Sequence, residues 1–206
     1  MAQQAESQKV SPTSSRTQAR VIEAVVEVVA RHGISGTTLA NVSAAAGVSQ
    51  GVLVFHFKNK EGLLTETLSR MLQEYEEAWS LAMASPDPLE RILGLIRTDF
   101  SPAICSPTKL ALWFSFWGEA GAQPLYSKIC VKATVARYEA MLSSCRALID
   151  ISGGPDPELL TKSIDGFSDG LWLQMHLQGF PITLSEATES AFAHLRLLLP
   201  HHAAQF

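Results

Sequence analysis

The sequence predicts an all-α protein. A three-helix N-terminal head containing a helix-turn-helix precedes a larger helical body, with about nine helices in total. Three observations carry this. Apolar residues recur at three- and four-residue spacing along most of the chain, and no segment shows the strict alternation of a half-buried strand. Proline, glycine and small capping residues punctuate that pattern where helices should start and stop. The chain has 206 residues, 47% of them apolar and 17% charged. That is enough to bury a core and too apolar for a disordered chain. So little charge also invites an oligomer or a ligand cavity.

Each element follows from local chemistry. Residues 1–16, rich in Gln, Ser and Thr, read as a disordered tail without the apolar core of a secretory signal. From Thr17 onward, Val21, Ile22, Val25, Val26, Val28 and Val29 fall on helical spacing until Gly33 stops them. Thr37-Thr38 offers an N-cap for a short helix holding Leu39, Val42 and Ala45. Ala46-Gly47-Val48 is the break, and Ser49 caps a third helix ending near Phe57. Asn59 caps a fourth, with Glu61 in its first turn, where a carboxylate suits the macrodipole. That helix carries Leu63, Leu64, Leu68, Met71, Leu72, Tyr75 and Trp79.

Ser85-Pro86-Asp87-Pro88 is a turn that starts a fifth helix running through Leu89, Ile92, Leu93, Leu95, Ile96 and Phe100. Ser101-Pro102 and Ser106-Pro107 bracket a connector. Lys109 to Ala120 is apolar nearly all round, as a buried helix should be. Pro124 begins a long helix ending near Ile149, and Ser152-Gly153-Gly154-Pro155-Asp156-Pro157 is the clearest loop. Glu158 to Gln178 is helical, Gly179-Phe180-Pro181 ends it, and the last helix starts at Thr183 or Ser185 and stops before Pro200. The expected division is a tail over 1–16, a head over 17–66 and a body over 67–206.

No run of about 20 uninterrupted apolar residues exists, so no membrane span is expected. Cys105, Cys130 and Cys145 form no CxxC pair, which suits reduced thiols and a cytoplasmic setting. The net charge of −4 is uneven. Residues 1–64 carry six basic and four acidic residues, whereas the rest carries ten and sixteen. A mildly basic head on an acidic body is compatible with a polyanion at one end.

The head holds the most legible chemistry. In TLANVSAAAGVSQGVLVFHFKNKEGLL (Thr38 to Leu64), Gly47 suits the tight turn between two short helices. Val48, Leu53 and Phe57 can face inward, leaving Ser49, Gln50, Gly51, Val54 and Phe55 near the outer face, with His56 beside it. Gly51 removes a side chain where another backbone could approach. Gln50 can read a base edge, and Phe55 can touch a thymine methyl. Lys60, with the free amides of the helix it opens, suits a phosphate. Lys9, Arg16 and Arg20 offer a further arm. An ordinary packing unit with solvated polar faces is the alternative.

This stretch resembles the DNA-binding head of the TetR family of bacterial regulators, through Thr38, Ala40, Ala46-Gly47-Val48-Ser49, Gly51, Leu53, Phe57, Lys60, Glu61 and Leu63-Leu64. The resemblance implies an all-helical dimer that binds a palindromic double-stranded operator and releases it when a small molecule fills the C-terminal domain. Thr38, Ser49, Gln50, Gly51, Val54, Phe55, His56 and Lys60 are the expected DNA-binding residues. The family usually has an aromatic where Val54 stands, and Val54 cannot donate the phosphate hydrogen bond such a Tyr makes.

In the body, within Trp113-Phe114-Ser115-Phe116-Trp117, Trp113 and Trp117 share a helix face, as do Phe114 and Trp117, and Phe100, Tyr126 and Trp172 add rings from other helices. Such a cluster either fills a core or cages an organic cation. Asp165 and Asp169 lie one turn apart, each followed by a glycine. They either supply counter-charge or face solvent or an arginine such as Arg137. Leu112 to Ile129 and Asp169 to Ile182 resemble the C-terminal domain of BetI-type repressors, which implies choline or another quaternary amine as effector. A different lipophilic or aromatic effector is the alternative. The expected ligand residues are Trp113, Phe114, Phe116, Trp117, Tyr126, Asp169 and Trp172. The dimer is expected through the last two helices, along Leu160, Ile164, Phe167, Leu171 and Met175 and along Ala187, Ala191, His194, Leu195 and Leu198.

No HExxH, GxSxG, P-loop or metal-spaced Cys/His set is present. No catalytic residue, cofactor or metal is therefore expected. A helical-bundle enzyme or an interaction module without DNA is the competing class.

Overall fold

A computed structural model describes residues 12–177, 179 and 181–205. Among them are nine α-helices and no strand: α1 (Pro12–Gly36), α2 (Leu39–Ala46), α3 (Gln50–Phe57), α4 (Lys60–Ser80), α5 (Pro88–Asp99), α6 (Pro107–Ala120), α7 (Pro124–Ser152), α8 (Pro157–Leu177) and α9 (Leu184–Leu198). The chain divides into two compact units, Met1–Thr67 and Leu68–Phe206, and α4 contributes to both.

Side chains cap several helix starts, Thr38 among them as expected. The Thr38 hydroxyl accepts from the Asn41 amide, and the Asn41 side chain accepts from the Thr38 amide. Asp87 caps α5 and Ser106 caps α6, each followed by Pro at the first position, where the missing N–H costs nothing. Thr183 and Glu186 close a capping box on α9. One expectation needs correcting. The helical chain begins at Pro12, so residues 12–16, assigned above to the tail, belong to α1. Pro12 has its φ pre-set for a first turn, which outweighs the weak helix propensity of the residues after it. Residues 1–11, including Lys9, lie outside the described residues, as do Gln178 and Phe180.

In the first unit, Val21, Val25, Val29, Val42, Leu53 and Leu63 are fully or almost fully buried. Gly33 interrupts α1 with φ 67°. In the second unit, Ile92, Leu95 and Ile96 of α5, Leu110, Leu112 and Phe116 of α6, and Met141 and Cys145 of α7 form the core. Leu160, Ile164, Leu171 and Met175 of α8, and Ala187, Ala191 and Leu195 of α9, are also buried within the protomer. Most of the two stripes expected at a dimer interface thus pack within their own protomer, while Phe167, His194 and Leu198 are half-buried. Helical periodicity finds an apolar face but does not say whether its partner is the same chain or a copy.

Candidate functional site

The helix-turn-helix comes first. Gly47, at φ 62° and ψ 39°, ends α2 in the left-handed region that a Cβ disfavours. After it α3 departs at 108° to α2, within the range of such motifs. Leu53 and Phe57 point inward, at 0% and 5% exposure, while Phe55 stands out at 81% and Val54 at 48%. Ser49, Gln50 and Gly51 are exposed on the same outer surface at the start of α3, as is Thr38 at the start of α2. Ser49 occupies the N-cap position, but its hydroxyl makes no capping bond. A Cβ on Gly51 would meet only the Ser49 hydroxyl, at 3.7 Å, so the fold itself does not require glycine there. His56 is half-buried, its Nδ1 lying 3.4 Å from Gln18 Nε2.

The α3–α4 junction is tightly built. Lys58 has φ 68° and ψ −57°, and the Asn59 amide donates to the Phe57 carbonyl at 2.8 Å, forming a strained γ-turn. The Gly62 amide donates to Asn59 Oδ1 at 2.8 Å, as the expected cap requires. A Cβ on Gly62 would lie 2.2 Å from the Phe57 carbonyl oxygen, so only glycine fits. Lys60 Nζ donates to the Ser35 carbonyl at 3.2 Å. This bond holds the ammonium near the end of α1, beside the start of α4.

In the second unit a cavity of about 440 Å³ lies among α4, α5, α6, α7 and α8. Trp113, Trp117 and Trp172 wall it, with Tyr75 of α4 beside them. Their ring centres are 6.2–6.4 Å apart for the three indole pairs, and Tyr75 lies 6.1 Å from Trp113 and 6.2 Å from Trp172. Of the expected ligand residues, Trp113, Trp117, Asp169 and Trp172 meet in this space. The other three do not line it. Phe116 is fully buried and packs edge-on against Tyr126, and Phe114 stacks on His176 at 4.9 Å.

A polar hub forms one wall, of which the sequence offers only the approach of Asp165 to Arg137. Asp99 is 4% exposed and accepts from the Tyr75 hydroxyl at 2.6 Å and from Arg137 Nη2 at 2.8 Å. Its backbone carbonyl accepts from Trp172 Nε1 at 3.0 Å. Arg137 Nη1 lies 3.6 Å from Asp165. One signal could have found this hub: Asp99 ends α5, where the helix dipole disfavours a carboxylate that lacks a cationic partner.

The charges of the hub do not cancel. Asp99, Asp165 and Asp169 face one arginine, while Lys162 and Glu139 at the margin offset each other. Burial pushes the Asp165 carboxyl up to about 6, against the pull of Arg137, with Asp99 and Asp169 adding to the rise. Burial and then Asp99 raise Asp169 as well. Burial opposes the Arg137 charge, but Asp99, Tyr75 and Asp165 outweigh it and hold the guanidinium ionised. The wall thus combines aromatic faces with surplus negative charge. Burial also drives the Cys105 and Cys145 thiols up, to about 12 and about 11, so neither offers a thiolate nucleophile.

A helix-turn-helix head joined by a shared helix to an all-helical, cavity-bearing body is the build of a bacterial one-component transcriptional regulator. Residues 21–67 match the model of the tetR family of bacterial regulatory proteins. Residues 88–200 match the C-terminal domain of BetI-type transcriptional repressors, and the chain belongs to that branch of the TetR family. The HTH-type transcriptional regulator BetI of Burkholderia thailandensis is 29% identical over 199 residues, covering 90% of this chain and 94% of that protein. The BetI of Paraburkholderia phymatum is 28% identical, covering 90% and 94%.

Solved structures show the same fold. A transcriptional regulator from Pseudomonas aeruginosa PAO1 superposes with a TM-score of 0.77 at 24% identity, covering 93% of this chain and 94% of that one. A transcriptional regulator from Saccharomonospora viridis, in complex with choline, gives 0.74 at 19% identity, covering 86% and 94%. No single helix among the described residues is long and apolar enough to cross a membrane.

Proposed function

We propose that the chain is a homodimeric repressor, released from a palindromic operator when an organic cation, choline or another quaternary amine, enters the body cavity. The observation that carries the effector class is the wall of three indoles beside carboxylates in excess of their arginine. Ring faces attract a cation by about 0.5–2 kcal/mol each as it is desolvated. The carboxylates hold that charge in a site too apolar for an anion. The choline-bound Saccharomonospora regulator supports the same class.

On the operator side, Gln50 and Phe55 read base edges from the outer face of α3, and Lys60 meets a phosphate from the first turn of α4. Thr38, Ser49, Gly51, Val54 and His56 complete that surface. The dimer forms through the outer faces of α8 and α9. Gly166 and Gly170 leave open space there, and Leu173, Leu177 and Leu197 are 43%, 72% and 81% exposed. Two recognition helices held about 34–36 Å apart match successive major grooves. A cation that empties the operator must bind the DNA-incompetent state more tightly, by linkage.

A thermal-shift screen of the full chain against quaternary amines, polyamines, acyl-CoA esters and aromatic acids tests the effector class. A ligand at a hundred times its Kd stabilises by about 2.7 kcal/mol. Stabilisation by quaternary amines is expected. Stabilisation by aromatic acids alone would replace the cation with a different effector.

A further inference from the structure

A side-chain pair 38 residues apart in sequence joins α1 to α3 in the head. Gln18 Nε2 lies 3.4 Å from His56 Nδ1, and both residues are half-buried. A side-chain amide nitrogen donates and does not accept, so the Nδ1 that faces it must be the acceptor. A proton on Nδ1 would set two donors against each other. The partner of one ring nitrogen fixes the state of the other, and a neutral imidazole whose Nδ1 accepts carries its proton on Nε2. That Nε2 has no hydrogen-bond partner among the described residues, and His56 keeps part of its surface open to solvent. Its ring stands edge-on to Phe55, 5.0 Å between centres, and Phe55 is exposed on the outer surface of α3. On the other side Phe57, with its ring centre 6.0 Å away, is buried in the core of the head. The imidazole thus sits at the border of core and outer surface, with one nitrogen committed to α1 and the other free to donate.

We propose that Gln18 is a positioning residue for the operator: it holds the His56 imidazole in the Nε2–H form and turns that N–H outward, as a donor to a backbone phosphate. This rests on the operator reading above and adds to it which atom of His56 acts and what aims it. A phosphate oxygen accepts, so the opposite tautomer would meet it with a lone pair. Lys60 meets a phosphate through its charge and therefore adds to the salt dependence of binding. A neutral N–H adds a directed bond and releases no counterion. The two contacts differ in signature although both go to the backbone.

The test has a spectroscopic arm and a binding arm, both on the full chain at pH 8.5, on the neutral side of histidine titration. Long-range proton–nitrogen correlation spectra of ring-labelled protein report which nitrogen carries the proton, with His56 assigned by its loss in His56→Asn. Nε2–H is expected in wild type. Gln18→Glu, which puts an acceptor where the donor was, is expected to bring a proton to Nδ1. Binding is read by anisotropy on a fluorescent duplex selected from a random pool. His56→Ala is expected to weaken it about threefold or more, the worth of a neutral hydrogen bond, with the salt slope unchanged. Gln18→Leu is expected to weaken it about twofold when His56 is present and not at all in the His56→Ala background. A proton on Nδ1 in wild type overturns the inference, as does a cost of Gln18→Leu that survives the removal of His56. A salt slope that falls by about one ion in His56→Ala overturns it too, because the contact would then be ionic. Each of these results leaves the operator reading intact. A chain that selects no duplex overturns the operator reading, and this inference with it.

Discussion

Lowering the pH should weaken cation binding and, through the same carboxyl, stabilise the empty protein. Asp165 lies beside Arg137 with its carboxyl raised from 3.8 to about 6, chiefly by burial. At pH 7.5 it is ionised and offers counter-charge to a cation. At pH 5 only about one molecule in eleven keeps that charge, so affinity falls about tenfold, or about 1.4 kcal/mol. The fall begins near pH 6 and levels off once the pH passes below the lower value that the cation-bound carboxyl adopts. The unliganded fold responds with the opposite sign. A carboxyl raised on folding favours the native state when neutral, and that contribution is lost as pH rises from 3.8 through about 6. Calorimetry with choline at pH 7.5, 6.5, 5.5 and 5.0 reads the first effect, and Tm of the empty chain at the same pH values reads the second. Asp165→Asn should flatten the affinity profile. A wild-type affinity constant from pH 7.5 to 5, or an equally steep profile in Asp165→Asn, would refute Asp165 as the titrating counter-charge.

Other substitutions probe separate parts of the molecule. Gly62→Ala should lower the stability of the head by about 1–3 kcal/mol, because its Cβ would lie 2.2 Å from the Phe57 carbonyl oxygen; an unchanged Tm would contradict that packing. Lys60→Ala should weaken binding to all duplexes and flatten the salt slope by about one ion, whereas Gln50→Ala should relax sequence choice, both read by anisotropy at several salt concentrations. Equal salt slopes for wild type and Lys60→Ala would remove the phosphate assignment. Leu197→Glu puts a charge on the exposed outer face of α9 and should shift the chain toward monomer by sedimentation; persistence of the dimer would move its interface elsewhere.

Much of the fold was legible because its boundaries are written in side chains that cap helices. Thr38 and Asp87 start helices where the sequence places them, Thr183 is one of the two starts expected for α9, and Ser106 caps a helix that the sequence begins only at Lys109. The start of α1 at Pro12 is not legible in the sequence, because the stretch after Pro12 has weak helix propensity, and propensity yields easily to context. Periodicity marks the apolar faces of α8 and α9 but not their partner, and Leu160, Ile164 and Leu195 face their own protomer. In the candidate cavity, the i,i+4 pair Trp113 and Trp117 met Trp172 and Asp169 as expected. Phe116 and Tyr126 went to the core because an aromatic ring fits core or cage equally well by spacing. Asp99 and Tyr75 were unreadable as a pair, as they lie 24 residues apart on different helices and only the fold brings them within 2.6 Å.

The most direct measurement is the stoichiometry and ligand response of one protein–DNA complex. A fluorescent duplex selected from a random pool is bound by the full chain in dilute buffer, weighed by sedimentation, and titrated with choline alongside Trp172→Ala. Two protomers on a near-palindromic duplex, freed by choline in wild type and retained by the variant, is the expected result. A chain that selects no duplex, or a complex that stays intact while choline saturates the cavity, would contradict it.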